Sequence, residues 1–396
     1  MKRRDFIKNS ALASSLLYVP SFVNAFNNFN LETEGYKRLV IVQLSGGNDG
    51  LNTITPFKND LYFKNRPGIS NNPQELLKLN DELGFHKNLK PLKHLYDQGF
   101  LSIINNVGYP NPNRSHFRST DIWHTASDSN KYLTEGWLGR YLDNYGQNPY
   151  NGIEVDESLS LVLKGNKFNG MAVQNATQLF RNSQDPYFKK VLNYPANPHL
   201  SEHNLGYLYK TMIAAKNSAK YIYSTTKTYN SKQEYPNNPL AKQLKTAAEF
   251  INSGVDCKVI YTSLGGFDTH FNQKLRQDKL LKVYAQSIDA FVKDLQTNNT
   301  FKDTLVLTFS EFGRRVKQNA AEGTDHGTAN NVFIIGKNLK KKGLYNEAPD
   351  LADLDSNGDL KYSIDFRRIY ATILKKWMQV DDKIILNQSF NPLTFL

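Results

Sequence analysis

The chain has 396 residues, 22% of them charged, with a formal net charge of +12 and a single cysteine. One cysteine excludes an intramolecular disulfide, so stability must come from a buried core, and this length is ample for one. The lysines are dispersed (Lys189-Lys190, Lys340-Lys341-Lys342, Lys375-Lys376) without the Arg and aromatic interleaving of a nucleic-acid surface. What remains is a solvated basic face, or weak attraction to anionic small molecules and glycans.

Residues 1–25 read as an address. Met1-Lys2-Arg3-Arg4-Asp5-Phe6-Ile7-Lys8 carries paired arginines, an apolar stretch runs from Ala11 to Val23, and Val23-Asn24-Ala25 offers a small-residue cleavage site. This pattern resembles a twin-arginine export signal, which predicts a periplasmic or otherwise exported protein that folds before it crosses. The apolar stretch is broken by Pro20 and is shorter than the roughly 20 residues of a transmembrane helix. No membrane span is therefore expected in the mature chain. Residues 1–25 hold four Lys or Arg and one Asp, so without them the formal charge is +9.

Five later runs read as buried strands: 38–44, 100–104, 259–264, 304–309 and 332–336. All are rich in Val, Ile, Leu or Phe and end in turn residues. Ser115 to Ala126 and Ala241 to Ile251 read as helices. Apolar stripes at Leu281, Tyr284, Ile288, Phe291 and Leu295, and at Ile369, Ile373, Leu374 and Trp377, mark two more. Alternating strands and helices predict an α/β fold, with a mostly parallel sheet covered on both faces, as one domain over 26–396. The Asn- and Tyr-rich stretch at about 144–239 is expected to be an irregular insertion or helical cap. Cys257 begins an apolar run and reads as a buried structural thiol.

Ligands in parallel sheets bind beyond the carboxyl ends of the strands. The segments there hold Gly46-Gly47-Asn48-Asp49-Gly50, Arg114-Ser115-His116, Asp268-Thr269-His270, Ser310-Glu311-Phe312-Gly313-Arg314-Arg315 and Asp325-His326. Carboxylates with imidazoles suit zinc, manganese or iron better than calcium or magnesium. A divalent metal is expected, with zinc first and manganese, iron or calcium as alternatives. Ser115 reads as a helix N-cap that either only caps or also serves as a nucleophile facing an anion. Arg314 and Arg315 are placed either on that anion or on the surface. Asp353-Leu354-Asp355-Ser356-Asn357-Gly358-Asp359 opens like a calcium loop, but position 364 is Ile364, so a polar turn is expected.

These blocks, with Gly136-Trp137-Leu138-Gly139-Arg140-Tyr141 and Asp365-Phe366-Arg367, resemble the exported bacterial family known as domain of unknown function 1501. That family looks like a distant branch of the alkaline phosphatase and sulfatase superfamily, which implies a three-layer alkaline-phosphatase-like sandwich. By resemblance, Asp49 is the early metal ligand and Ser115 the nucleophile; Arg114, beside that serine at the helix start, is expected to clamp the anion. Asp268 and His270 are paired ligands, and Asp325-His326 is the ligand dipeptide. No histidine follows His326, so His116 or Glu311 replaces the superfamily's final ligand, or the site holds one metal or none. The resemblance implies a metal-dependent hydrolase of phosphate or sulfate esters. The alternative is a non-catalytic envelope protein that binds a glycan or a protein partner around a degenerate metal site.

Overall fold

Residues 36–193 and 204–396 are described in the computed structural model, and the leader expected at 1–25 lies outside them. Strand β1 (Arg38–Leu44) is buried along its whole length. Successive side chains of a strand point to opposite faces. Val40, Val42 and Leu44 accordingly enter one apolar cluster, while Leu39 and Ile41 enter another. Each such side chain contributes about 1.5–3 kcal/mol on full burial, so both faces must be covered.

Helices cover both faces. On the first lie α1 (Lys90–Asp97), α4 (Pro239–Asn252) and α5 (Gln273–Thr297), which contribute Leu92, Leu244 and Ile288. On the second lie α2 (His116–Thr125), α3 (Trp137–Tyr145) and α6 (Phe366–Thr372), with Ile122, Leu138 and Ile369. The result is a three-layer α/β sandwich.

The other strands of the main sheet are β2 (Leu101–Gly108), β3 (Gly152–Glu154), β4 (Met171–Ala172), β5 (Val259–Leu264), β6 (Thr304–Phe309), β7 (Asn330–Ile335), β8 (Gly343–Leu344) and β9 (Ile364–Asp365). They form one sheet in the order β8-β2-β7-β6-β1-β5-β3-β4, with β9 also on β2. Pairing is parallel except for β7, which runs antiparallel to β2 and β6. The reason is local: β7 follows β6 through a loop with no crossover helix, and a parallel return needs such a crossover. The carboxyl ends of β1, β2, β5 and β6 therefore share one edge with the start of β7, and their loops meet there.

The expected cap at 144–239 is corrected in part. Gly152–Glu154 and Met171–Ala172 join the main sheet, parallel beside β5. Strands of three and two residues are too short to show a periodicity. Helices Ala176–Ser183 and Asn204–Thr226 occupy much of the remainder. Cys257 is buried, which pushes its thiol up to about 11 and leaves it a packing residue.

One stack fixes the helix that matters most for the site. Trp123 of α2 lies 4.6 Å from Phe309 at the end of β6 and 4.3 Å from Phe366 at the start of α6, nearly parallel to both. This stack pins α2 across the strand ends, so His116 at its start faces Glu311, two residues beyond Phe309.

A buried carboxyl on β3 gives a pH test of the fold. Burial pushes Glu154 up to about 7, although the Ser160 N–H opposes the rise. With the folded value above the unfolded one, the stabilisation is complete below about pH 4.5 and is lost as pH rises through about 7. The loss is on the order of 3 kcal/mol. Thermal melts should show Glu154→Gln more stable than wild type at pH 8 and no more stable at pH 4.

Candidate metal centre

Four side chains from three loops converge on one carboxylate oxygen, Oδ1 of Asp268. An Arg314 guanidinium nitrogen lies 2.7 Å away, His270 Nε2 3.0 Å, His326 Nε2 3.2 Å and His116 Nε2 3.3 Å. What makes this cluster more than a knot of charges is the other nitrogen of each imidazole. His116 Nδ1 lies 2.9 Å from Glu311 Oε1, His270 Nδ1 3.0 Å from Asp325 Oδ1, and His326 Nδ1 2.7 Å from the Arg114 carbonyl. Ionised carboxylates and carbonyls only accept hydrogen bonds, so each Nδ1 is the donor. In the neutral tautomer, each Nε2 then turns a lone pair toward Asp268.

Lone pairs aimed at one another repel unless a cation lies among them. His270 Nε2 and His326 Nε2 are 2.9 Å apart, so at most one of them carries a proton. His116 Nε2 is buried and has no hydrogen-bond partner. The ligand atoms of His116, Asp268 and His326 all lie within 4.8 Å of one another. Donors bound tetrahedrally at zinc distances are about 3.4 Å apart, close to the 3.0–3.3 Å from Asp268 Oδ1 to the three Nε2 atoms, although His270 lies outside the group whose atoms all fall within 4.8 Å. Three imidazoles and one carboxylate suit zinc, iron or manganese, whereas calcium and magnesium take oxygen ligands. The residues fit a divalent transition metal.

The surrounding charges set the protonation states. The hydrogen bond to Glu311 raises His116 above the ordinary imidazole value, and burial lowers His326. Burial alone would raise Asp268, but Arg314, His326 and His270 together hold it well below the usual carboxylate range. Asp325 is lowered chiefly by its bond to His270.

Loop chemistry explains why these groups meet. Gly46 has φ of +115° and donates its N–H to Glu311 Oε1 at 2.8 Å. A Cβ on Gly46 would sit 2.4 Å from the Asp268 nitrogen, so only glycine lets the loop after β1 approach the loop after β5. Gly47 likewise makes room for the Phe312 ring, which packs 4.8 Å from both the His116 and His326 rings. Arg314 is fully buried and donates to the carbonyls of Gly46, Gly47, Phe267 and Thr324 as well as to Asp268. Its role escaped the sequence reading because its partners are mostly backbone carbonyls, which no motif displays.

Several expected site residues are placed elsewhere. Asp49 is not among the converging groups. Its Oδ1 caps the short helix Gly50–Thr53, and its Oδ2 pairs with buried Arg66 at 2.5 Å and with Gln273. A buried carboxylate needs such a partner, and Arg66 satisfies it without metal. Glu311 and Asp325 support imidazoles from behind, in the pattern of outer carboxylates that orient metal-binding histidines. His116 joins the cluster as an inward-facing imidazole. Arg114 is not available as an anion clamp, because its guanidinium is held by Asp359 and, at 3.3 Å, by Asp355. That acidic loop is the polar turn expected, since Asp355 Oδ1 accepts the N–H groups of Asn357 and Asp359. Ser115 is the exposed N-cap of α2, yet its side chain makes no capping bond. Arg315 is half-buried, 3.8 Å from Asp359.

The model of the family described as Protein of unknown function (DUF1501) matches residues 36–388. The chain belongs to that family. No curated protein matches this DUF1501 chain in sequence. Among solved structures it is similar to the C-terminal periplasmic domain of EcEptC from Escherichia coli in complex with zinc, at 13% identity and TM-score 0.37, covering 76% of this chain and 73% of that one. It is also similar to a protein in the alkaline phosphatase superfamily from Vibrio parahaemolyticus, at 10% identity and TM-score 0.41 over 90% and 71%. The PsFucS1 sulfatase from Pseudoalteromonas sp. gives 10% identity and TM-score 0.38 over 94% and 76%. Scores at this level decide nothing about chemistry, which rests on the side chains described above.

Asp49 and His270 should separate in their effects. Asp49→Ala leaves Arg66 buried without its partner, a loss of about 3–5 kcal/mol, and should still bind metal when folded. His270→Ala should lose the metal while the metal-free protein keeps its denaturation midpoint. Urea titrations with elemental analysis check both, and metal loss in Asp49→Ala at unchanged stability would contradict the placement.

Proposed function

We propose that this chain is an exported, metal-dependent hydrolase of phosphate or sulfate esters. The observation that carries the reading is the convergence of three Nε2 atoms on Asp268, each imidazole anchored at Nδ1 by an oxygen acceptor. His116, His270, His326 and Asp268 would hold the metal, with zinc favoured by the donor set. A divalent metal bound there supplies Lewis acidity toward the charged oxygens of an ester.

The remaining work falls to the chain's own groups. Arg314 keeps Asp268 ionised and fixes its direction. Glu311, Asp325 and the Arg114 carbonyl hold each Nδ1–H, so that the neutral ring presents its Nε2 to the metal. Ser115 is the candidate nucleophile: its Oγ is exposed, free of a capping bond and adjacent to His116. With the cap unused, first-turn N–H groups of α2 remain open to an anion. The leader read in residues 1–25 would deliver the folded protein outside the cytoplasmic membrane. Among the described residues, no helix is long and apolar enough to cross a membrane.

One observation favours the second reading, a binding protein with a structural metal: Arg114 is withdrawn from the site by Asp359. Turnover decides between them. Protein folded in the cytoplasm and purified without chelators should hold one metal per chain, lost in His116→Ala, His326→Ala and Asp268→Ala. It should hydrolyse members of a phosphate and sulfate ester panel, and Ser115→Ala should lower kcat by at least about 10²-fold with the metal retained. Stoichiometric metal without turnover on either ester class would establish the binding protein.

A further inference from the structure

A cavity of about 300 Å³ has Phe312, which packs on the candidate metal centre, in its lining. Its walls include Tyr109, Pro112, Phe312, Ala329, Leu360 and Tyr362, drawn from the end of β2, the loop after β6, the approach to β7 and the turn before β9. Phe312 belongs to both places: its ring lines the cavity and packs on the rings of His116 and His326. An occupant touching Phe312 therefore lies one aromatic ring away from two of the converging imidazoles.

Several polar side chains around the cavity already have partners. The Tyr109 hydroxyl is 2.8 Å from Ser119 Oγ and accepts the Asn113 N–H at 3.2 Å. Thr328 Oγ1 donates to the Leu360 carbonyl, Asp355 binds Arg114 and two backbone N–H groups, and Lys361 pairs with Asp353. A sugar entering such a space would turn most of its hydroxyls toward apolar walls, which is costly. A flat apolar ring would meet aromatic edges and faces instead.

We infer that this cavity receives an uncharged aryl group, the alcohol side of an ester whose anionic end faces the histidine cluster. The inference rests on the hydrolase reading for the ester and on the cavity's own walls for the aryl group.

Ligand-observed NMR titration tests it, with phenol as ligand and glucose as control, on metal-loaded wild type and three variants. Phenol should bind wild type and glucose should not. Tyr362 is 38% exposed, so Tyr362→Ala should fold, and a thermal melt checks this. That variant should bind phenol about 10-fold more weakly, and Tyr362→Phe should restore binding because the hydroxyl is not needed. His270→Ala should lose metal and keep its affinity for phenol. Equal binding of phenol and glucose, or wild-type phenol affinity in folded Tyr362→Ala, overturns the assignment. Tyr362-dependent phenol binding by a wild type that holds no metal supports the aryl cavity and sinks the hydrolase reading alone.

Discussion

Arg314 is the group on which the rest of the site depends. Its guanidinium is buried among loops that would otherwise fly apart, each with carbonyl oxygens crowded at the strand edge. By donating to carbonyls of Gly46 and Gly47 after β1, Phe267 after β5 and Thr324 before β7, it ties three loops into one body. A buried cation with only dipoles for company would be costly. Asp268 supplies the opposite charge, and so the carboxylate at the centre of the cluster is also the partner that keeps the clamp in place.

This coupling gives the site an orderly build. Arg314 fixes Asp268, and outer acceptors fix the three imidazoles. The Trp123 stack fixes the helix that carries His116. Every inward-facing atom is thus positioned by a contact on its far side. Preorganisation of this kind matters because a loose donor set would let the histidines rotate to water rather than hold their lone pairs together. The aryl-lined cavity belongs to the same build, since Phe312 is both its wall and the packing surface of two imidazoles.

Much of the frame was legible in the sequence because its signals are local. Fully apolar strands, helical stripes and the Ser115 N-cap depend on neighbours a few residues away, and all five expected core strands appear. The histidines and Asp268 were legible because each follows a strand that must end at the binding edge. The long-range partnerships were not. Asp49 in a Gly-Asn-Asp-Gly run reads equally well as a ligand or a cap, and only Arg66, seventeen positions on and brought back by folding, decides for the cap. Arg114 beside Ser115 looks free to bind an anion until Asp359, 245 positions later, takes its charge. Short edge strands such as Gly152–Glu154 carry too few side chains to announce themselves, and the reversed direction of β7 follows from connectivity rather than composition.

The central claim is that three imidazoles and one carboxylate form a single cation site. X-ray absorption at the metal edge, on protein loaded with zinc and free of affinity tags, tests it most directly. About three imidazole nitrogens at roughly 2.0–2.1 Å are expected, with an oxygen ligand completing the shell. A shell dominated by oxygen with one imidazole or none would contradict it, and the cluster would then be a hydrogen-bonded charge network around Arg314.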